Sequence, residues 1–432
     1  MRTRDRNRNS EPRHRYSLAD WLAWQETLHP RSIDPGLERS AGVLARLGLE
    51  PPPGGVITVA GTNGKGSCVA FLDAVLRAAG RAPGAYTSPH LCRYNERVRM
   101  AGTPASDEAL VAAFRQVDAA RGDTSLTYFE FGTLAAMWLF AESRCDPWLL
   151  EVGLGGRLDA VNILDPDVAV VTSVGIDHVD WLGIDRDAIG AEKAGIFRKN
   201  KPAIIGDPEP PRGLIRHARA LGADTRRIGR DFAHRAEGDV WSWQGRERRL
   251  EGLPRPSLAG EHQLGNAACA LAALEGLADR PAVADRAIAE GLAAAELPGR
   301  FQVVPGTHEW VLDVAHNPAA AACLAANLTA RPVAGDTHVV LGMLGDKDVE
   351  AFARALVPHA ERWFAADLSG VDRGLGDRAL AARLSGIADA MPAGTVAEAC
   401  ARADAVAVRG DRVLVCGSFH TVGAALRLRG LC

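Results

Sequence analysis

The chain has 432 residues, of which 47% are hydrophobic and 24% charged, and its formal net charge is −3. This length exceeds the size at which a single hydrophobic core usually stops growing, so two domains are expected. The near balance of charge excludes a global electrostatic attraction to nucleic acid or to an anionic membrane. The start has no apolar signal-peptide core, and no apolar run is long enough for a predicted membrane span.

The chain begins with a basic segment, in which six of the first fifteen residues are arginine and only Asp5 and Glu11 oppose them. No apolar pattern accompanies this charge, so residues 1–18 are predicted to be a disordered tail rather than a nucleic-acid-binding arm. The eight cysteines are scattered and form no CxxC pair, which indicates neither a zinc ribbon nor a disulfide framework. The cytoplasm is therefore the predicted compartment.

Short apolar runs alternate with amphipathic stretches, which predicts an α/β protein with mainly parallel sheets. The run 56–60 is predicted to be a buried strand, and apolar residues at helical spacing over 68–79 predict a helix that stops at Gly80. Further strands are predicted at 148–152, 168–172 and 202–206. The polar region 207–257, rich in Arg and Trp, is predicted to be a small antiparallel excursion.

Two alanine-rich helical stretches follow, one over 265–278 and one that ends at Leu297-Pro298-Gly299, the predicted interdomain joint. Asn317 and Pro318 are typical of a helix N-cap and first helical position. The predicted domains are a larger one at 19–298 and a smaller α/β one at 299–432. Strands of the second domain are predicted near 310–314, 338–343, 363–368 and 413–416.

The strongest local motif is GTNGKGS at residues 61–67, between a predicted strand and a predicted helix. Glycines let backbone N–H groups surround phosphate oxygens, and Lys65 adds a point charge. The general pattern GxxxxGK[ST] would place a glycine at Val59 and a hydroxyl at Gly66, so this is a shortened variant with Ser67 displaced by one. The guanine-reading NKxD is absent, which favours adenine.

Charged residues follow several predicted strands. Glu151 ends one strand and could hold Mg²⁺ on nucleotide phosphates, and Asp177-His178 follow the next. In the second half, Asp313 could accept from a ribose hydroxyl or an amine, and His316 could orient an anion. Arg300, just beyond the predicted joint, could bridge the two domains onto a polyphosphate.

From Trp21 to the C-terminus, the sequence closely resembles the bacterial bifunctional dihydrofolate synthase/folylpolyglutamate synthase family, which is related to the Mur ligases. The resemblance implies an N-terminal P-loop ATPase domain and a smaller C-terminal Rossmann-like domain. The matching strings lie at 33–39, 61–67, 87–91, 96–98, 126–130, 151–160, 177–178, 192–197, 297–301, 313–318 and 416–422.

The resemblance implies that the ATP γ-phosphate is transferred to a substrate carboxylate, after which the amino group of L-glutamate attacks the acyl phosphate. It implies two Mg²⁺ sites, one with Ser88 and Glu151 and the other with His178. Lys193 aligns with a carbamylated lysine, and together with Lys65 and His316 it is a predicted catalytic residue. K⁺ is a further possible cofactor. The implied ATP contacts are Thr62, Asn63, Gly64, Lys65, Asn266, Arg300 and Asp313.

The implied pterin and folate contacts form three segments: Asp34, Pro35 and Gly36; Thr127, Tyr128, Phe129 and Glu130; Leu158, Asp159 and Ala160. Pro35 departs from the leucine expected there. Ser418 is the predicted glutamate contact. The implied substrates are ATP, L-glutamate, dihydropteroate and reduced folates, handled by a monomer with no nucleic-acid or membrane partner.

Three alternatives remain at this point. A folylpolyglutamate synthase without dihydrofolate synthase activity would use the same phosphate and metal residues. A Mur ligase proper would carry an extra N-terminal domain, for which the roughly sixty residues before the phosphate loop are too few. A nucleotide-dependent binding switch would bind ATP without glutamate-dependent turnover.

Overall fold

A computed structural model describes residues 13–31, 33–277 and 282–432 of the chain. Residues 1–12 of the predicted disordered tail lie outside this part. The remainder of that segment forms a 3₁₀ turn at Arg13–Arg15, and Ser17 then caps the first helix by accepting a hydrogen bond from the Asp20 N–H. The helix therefore begins inside the segment predicted as tail.

Fifteen α-helices occur in the described residues. They are α1 Leu18–Leu28, α2 Glu38–Leu47, α3 Lys65–Ala78, α4 Asp107–Arg121, α5 Tyr128–Glu142, α6 Val179–Leu182, α7 Arg186–Ala194, α8 Arg212–Leu221, α9 Glu261–Gly276, α10 Asp285–Ala294, α11 Pro318–Ala330, α12 Val349–Leu356, α13 Asp377–Leu384, α14 Val396–Val406 and α15 Phe419–Leu428. None of them is long and apolar enough to cross a membrane.

The strands of the described residues form three sheets. They are β1 Val56–Ala60, β2 Gly84–Tyr86, β3 Val98–Met100, β4 Thr103–Pro104, β5 Trp148–Glu151, β6 Val168–Val171, β7 Pro202–Ile205, β8 Asp224–Arg227, β9 Ala233–Glu237, β10 Val240–Gln244, β11 Arg249–Pro254, β12 Gln302–Val304, β13 Glu309–Leu312, β14 Thr337–Leu341, β15 Arg362–Asp367, β16 Ala390–Thr395 and β17 Arg412–Cys416.

The first sheet has eight strands in the order β4-β3-β2-β5-β1-β6-β7-β8. The neighbours in the run β2-β5-β1-β6-β7-β8 all pair in parallel. A six-stranded sheet of the C-terminal half follows the order β12-β13-β17-β14-β15-β16 and is parallel except at β12. The predicted α/β class with mainly parallel sheets is confirmed. The antiparallel excursion is the three-stranded sheet of β9, β10 and β11, although α8 and β8 precede it within the same region.

Parallel strands buried on both faces explain why the central strands are continuous apolar runs. Every residue of β1 is buried, and its side chains alternate between two cores. Val56 and Ala60 join the core beneath α4 and α5, whereas Ile57 and Val59 join the core beneath α3 and α9. A second pair of cores surrounds β14 and β17 in the C-terminal half.

One covalent link differs from the expectation drawn from cysteine spacing. Cys92 and Cys432, which are 340 positions apart in the chain, form a disulfide with their Cα atoms 6.1 Å apart. No spacing rule indicates such a pair, because only the packing of the C-terminus against the loop that contains Cys92 brings the sulfurs together. The other six cysteines are free thiols.

Candidate active site

The phosphate loop leaves β1 and enters α3, as the sequence predicts. Gly64 caps the helix in a left-handed conformation, with φ of 86°, and Lys65 is the first helical residue. The Thr62 hydroxyl donates to the Gly175 carbonyl at 3.1 Å and accepts from the Gly175 N–H at 2.9 Å. The Lys65 ammonium donates to the carbonyls of Gly61 and Thr62, at 3.1 and 3.2 Å.

Strand order explains why distant residues of the chain meet at this loop. Strands β5, β1 and β6 are neighbours in the sheet, and all three run in the same direction. Their carboxyl ends therefore lie at one edge, where ligands usually bind in open α/β sheets. Glu151 is the last residue of β5, the phosphate loop follows β1, and the segment with Asp177 and His178 follows β6.

Glu151 faces the loop from the end of β5 and is 4% exposed. Burial raises the pKa of its carboxyl group, and Lys65, the Ser88 N–H and Arg300 oppose that rise. The Ser88 N–H donates to Glu151 Oε2 at 3.1 Å. The two residues predicted to hold the first Mg²⁺ are therefore in direct contact.

Half-buried His178 and buried Lys193 are two basic groups whose pKa values are lowered by their surroundings. His178 adopts a left-handed backbone conformation with φ of 52°, and burial lowers its pKa to about 4. Lys193 lies in α7 and is 4% exposed. Burial, with a smaller contribution from Lys65, lowers the pKa of Lys193 to about 7.

The C-terminal half supplies Arg300, Asp313 and His316 to the same place. The two Asp313 carboxylate oxygens accept from the backbone N–H groups of Phe301 and Ala315, both at 2.8 Å. A Cβ added at Gly66 would lie 3.8 Å from both Arg300 and Glu151, so these two side chains converge on the start of α3. Burial lowers the pKa of Arg300 and raises that of Asp313.

Asn266 and Ser418 also have protein partners. Asn266 Nδ2 donates to Gln263 Oε1 at 2.9 Å, and Asn266 Oδ1 lies against Gly64 of the phosphate loop. The Ser418 hydroxyl caps α15 by accepting from the Thr421 N–H at 3.1 Å. Ser418 therefore has a local structural role in addition to its predicted contact with glutamate.

The pterin and folate segments surround a second part of the site. Arg39 bridges two of them, because it contacts Asp34 at 2.7 Å and Glu130 at 3.1 Å. Thr127 and Glu130 form the capping box of α5, and Asp159 caps the short 3₁₀ helix at Ala160–Ile163.

One cavity of about 1070 Å³ joins all these regions. Phe129 and the Gly153–Gly156 turn form part of its wall, and a Cβ at Gly153 would come within 2.7 Å of the Phe129 ring. Every predicted site residue lines it except Tyr128, whose ring packs against Arg97 and Tyr94 behind the wall. Pro35, Leu158 and Ala160 contribute apolar side chains to its wall, and Gly36 contributes backbone.

Three residues without a predicted site role also belong to this region: Asn317, Lys347 and Arg97. Asn317 exchanges side-chain amide hydrogen bonds with Asn63, at 3.0 and 3.1 Å, across 254 residues of chain. Lys347 contacts Asp177 at 2.5 Å, and Arg97 lines the cavity beside Ser88. Lys347 follows β14 in the sequence, so the rule of polar residues after parallel strands could have found it.

Comparison with known proteins agrees with this geometry. The family profile described as Mur ligase middle domain matches residues 59–274, and the Mur ligase, glutamate ligase domain matches residues 299–419. Dihydrofolate synthase/folylpolyglutamate synthase of Escherichia coli strain K12 is 47% identical over 411 residues, which cover 95% of each chain. The chain belongs to the dihydrofolate synthase/folylpolyglutamate synthase family.

Solved structures of this family share the whole fold. The structure of E. coli FolC in complex with DHPP and ADP has a TM-score of 0.92 and 46% identity, covering 97% of this chain and 99% of that one. A family structure with Mn, AMPPNP and L-glutamate bound has a TM-score of 0.90 and 46% identity, covering 97% and 100%.

The residues of this family member fit a divalent metal that binds together with nucleotide. Among the residues that the structure describes, no three His, Cys, Asp or Glu side chains cluster as a complete metal site. Mg²⁺ on nucleotides usually takes one or two protein carboxylates, with phosphate and water oxygens as its other ligands. Glu151, buried beside Ser88 and facing the phosphate loop, is a carboxylate of that kind.

Proposed function

We propose that the protein ligates L-glutamate to dihydropteroate, giving dihydrofolate, and to the γ-carboxylate of reduced folates, giving folylpolyglutamates. The observation that best supports this proposal is one cavity in which the phosphate loop, Glu151 and the pterin segments face Arg300 and Asp313. A ligase that activates a carboxylate with ATP needs these regions within reach of one another. The chain is an ATP-dependent ligase of its family.

In the proposed reaction, a substrate carboxylate oxygen attacks the γ-phosphorus of ATP and ADP leaves. The glutamate amine then attacks the acyl carbon, phosphate leaves and the amine proton is released. Thr62, Asn63, Gly64 and Lys65 hold the phosphates. Asn266, Arg300 and Asp313 hold the rest of the nucleotide, since all three line the cavity beside the loop.

Ser88 and Glu151 are proposed to hold one Mg²⁺ and His178 a second. Bound Mg²⁺ would neutralise phosphate charge and align the transferred group. The low pKa of His178, about 4, supports this role because a metal ligand must be a neutral imidazole. Ser88 and Glu151 contact each other directly, which orients the carboxylate before any metal binds.

Lys193 is proposed to be carbamylated. A buried ammonium beside a magnesium site would repel the metal, whereas a carbamate carries negative charge. The pKa of about 7 leaves a large share of the Lys193 amine neutral at physiological pH, and the neutral amine is the form that reacts with carbon dioxide. Burial of the side chain would shield the product from water.

Asp34 to Gly36, Thr127 to Glu130 and Leu158 to Ala160 are proposed to hold the pterin and p-aminobenzoyl groups. His316 and Ser418 are proposed to act on the glutamate side, where His420 and Arg373 also line the cavity and would complement carboxylates. One chain supplies all of these walls, which supports a monomer. The cytoplasm is the proposed compartment: six of the eight cysteines are free thiols, whereas the Cys92–Cys432 link is a pairing that a reducing compartment disfavours.

Incubation with ATP, Mg²⁺ and glutamate plus either dihydropteroate or tetrahydrofolate tests the proposal, with ADP release and product mass as readouts. Glutamate-dependent turnover of both acceptors is expected. Turnover of tetrahydrofolate alone would favour the folylpolyglutamate-only alternative, and nucleotide binding without turnover would favour a switch. Replacing K⁺ by Na⁺ in the same assay measures the monovalent-ion requirement.

A further inference from the structure

The carboxylate of Asp177 contacts residues from both halves of the chain. Asp177 follows β6 in the N-terminal half, yet three groups of the C-terminal half surround it. Lys347 Nζ lies 2.5 Å from Oδ1, Asn317 Nδ2 donates to Oδ2 at 3.0 Å, and His316 Nε2 lies 3.5 Å from Oδ2. Within its own half, the His178 N–H donates to Asp177 Oδ1 at 2.8 Å.

Lys347 is fixed to the C-terminal half and buried where it meets Asp177. Both side chains of the pair are 7% exposed. Arg383 donates to the Lys347 carbonyl at 3.3 Å, and the Gly345 N–H donates to the Arg373 carbonyl at 2.7 Å. The loop that presents Lys347 is therefore tied to its own domain, and movement of that domain would move the ammonium.

The pair also reaches the phosphate loop. Asn317, which donates to Asp177, shares a reciprocal amide pair with Asn63. A buried ion pair has a large desolvation cost that only close approach and further hydrogen bonds offset, so Lys347 and Asp177 favour this one placement of the two halves.

We propose that Lys347 is a positioning residue. By pairing with Asp177 across the domain boundary, it holds the side chains of His178 and His316 in position around the nucleotide. This inference rests on the proposed metal role of His178. Lys347 itself need not touch substrate, since it acts through the turn that carries Asp177 and His178. Closure of the domains and completion of the metal site would then be one event.

The test compares Lys347→Met, Lys347→Arg, Asp177→Asn and the double variant Lys347→Met/Asp177→Asn by steady-state ADP formation. Lys347→Met is expected to lower kcat by about 10- to 100-fold and to raise the Mg²⁺ needed for half-maximal rate, as removal of groups that orient metal ligands usually does. The KM for dihydropteroate should change by less than about twofold, because its segments are separate from the pair. Lys347→Arg should recover part of kcat by keeping the charge.

Lys201→Met is the matched control, because Lys201 forms a half-exposed pair with Asp167 at 3.0 Å and does not line the cavity. It should behave as the wild type. The double variant should be no worse than the more impaired single variant, since the two residues act as one unit. Thermal unfolding of each variant identifies any that fails to fold. Lys347→Arg and the double variant are expected to fold, because neither leaves the Asp177 carboxylate without a partner cation.

Wild-type kcat and Mg²⁺ dependence in Lys347→Met would overturn the proposal, as would independent, multiplying effects of the two single variants. A change confined to the KM for glutamate would also overturn it, by making Lys347 a direct ligand contact. His178→Gln separates the two levels of inference. Unchanged Mg²⁺ dependence in that variant would show that His178 is not a metal ligand. The coupling between Lys347 and Asp177 is measured from the single and double variants and does not depend on that result.

Discussion

The Glu151 carboxylate accepts a hydrogen bond from the backbone N–H of Ser88, at 3.1 Å, in the cavity that the phosphate loop lines. Strand β5 brings Glu151 there, and the loop after β2 brings Ser88. The bond orients the carboxylate without neutralising it. Charge and hydrogen bonding at this position can therefore be separated by mutation.

Glu151→Gln should lose at least about 100-fold in Mg²⁺-dependent ADP formation, because the amide keeps the acceptor for Ser88 but not the charge for the metal. Stability should change by less than about 1 kcal/mol, since the hydrogen bond survives. Steady-state kinetics and thermal unfolding check both. Glu251→Gln, at an exposed residue paired with Arg249, is the control. Unfolding of Glu151→Gln at a much lower temperature would make Glu151 structural.

Gly64→Ala should abolish nucleotide binding by distorting the loop. Its φ of +86° is left-handed, and the added Cβ would lie 2.3 Å from Asn266 Oδ1. Gly80→Ala separates the two effects, because Gly80 also has a left-handed φ, +74°, but nothing within 4 Å of an added Cβ. Both variants share a strain of about 1–2 kcal/mol. Equal nucleotide affinity of the two variants, measured by calorimetry, would contradict a tight packing role for Gly64.

Carbamylation of Lys193 predicts a dependence on bicarbonate that grows as the pH falls. The Lys193 pKa is lowered from 10.5 to about 7, so the neutral amine predominates above pH 7 and the unreactive ammonium below it. Removal of bicarbonate should therefore reduce the rate more strongly at about pH 6 than at about pH 8.

The carbamate itself is detectable by NMR after incubation with ¹³C-bicarbonate. A carbamate resonance should be present in the wild type and missing in Lys193→Arg, which keeps a positive charge but offers no neutral amine. Activity that is indifferent to bicarbonate, with spectra identical in both proteins, would leave Lys193 an ordinary buried lysine.

Asp313→Asn should weaken both stability and nucleotide binding. Each carboxylate oxygen accepts a backbone N–H, so an amide must turn its own donor toward one of them. That clash should cost about 1–3 kcal/mol of unfolding free energy. Asp367→Asn, at a carboxylate that accepts one N–H near the surface, is the control for urea unfolding. Unchanged stability with lost ATP binding would show that the two N–H bonds carry little energy.

Much of the site follows from local sequence. The run Val56–Ala60 and the GTNGKGS loop specify a buried strand, a phosphate-binding turn and a helix start with almost no help from the rest of the chain. Asn317 before Pro318 specifies a helix cap, and its side chain does accept from the Ala320 N–H. Glu151 could be placed because a carboxylate after an apolar strand lies at the ligand edge of a parallel sheet.

Other features needed the assembled fold. The strand order β5-β1-β6 decides that Glu151 and Asp177 flank the phosphate loop, and sequence order alone does not give that arrangement. The packing of the C-terminus decides the Cys92–Cys432 link. The capping box at Thr127 and Glu130 shows that a segment predicted for substrate contact also starts helix α5.

The sequence by itself determined the α/β class, the phosphate loop and the resemblance to a folate–glutamate ligase, because each depends on short-range patterns of residue type. Only the tertiary structure decided that Lys347, Asn317 and His316 meet Asp177. Those contacts join residues up to 170 positions apart in the two halves of the chain, and their geometry depends on how the sheets are placed. Local propensities carry no information on that placement, because it results from packing between surfaces far apart in the chain.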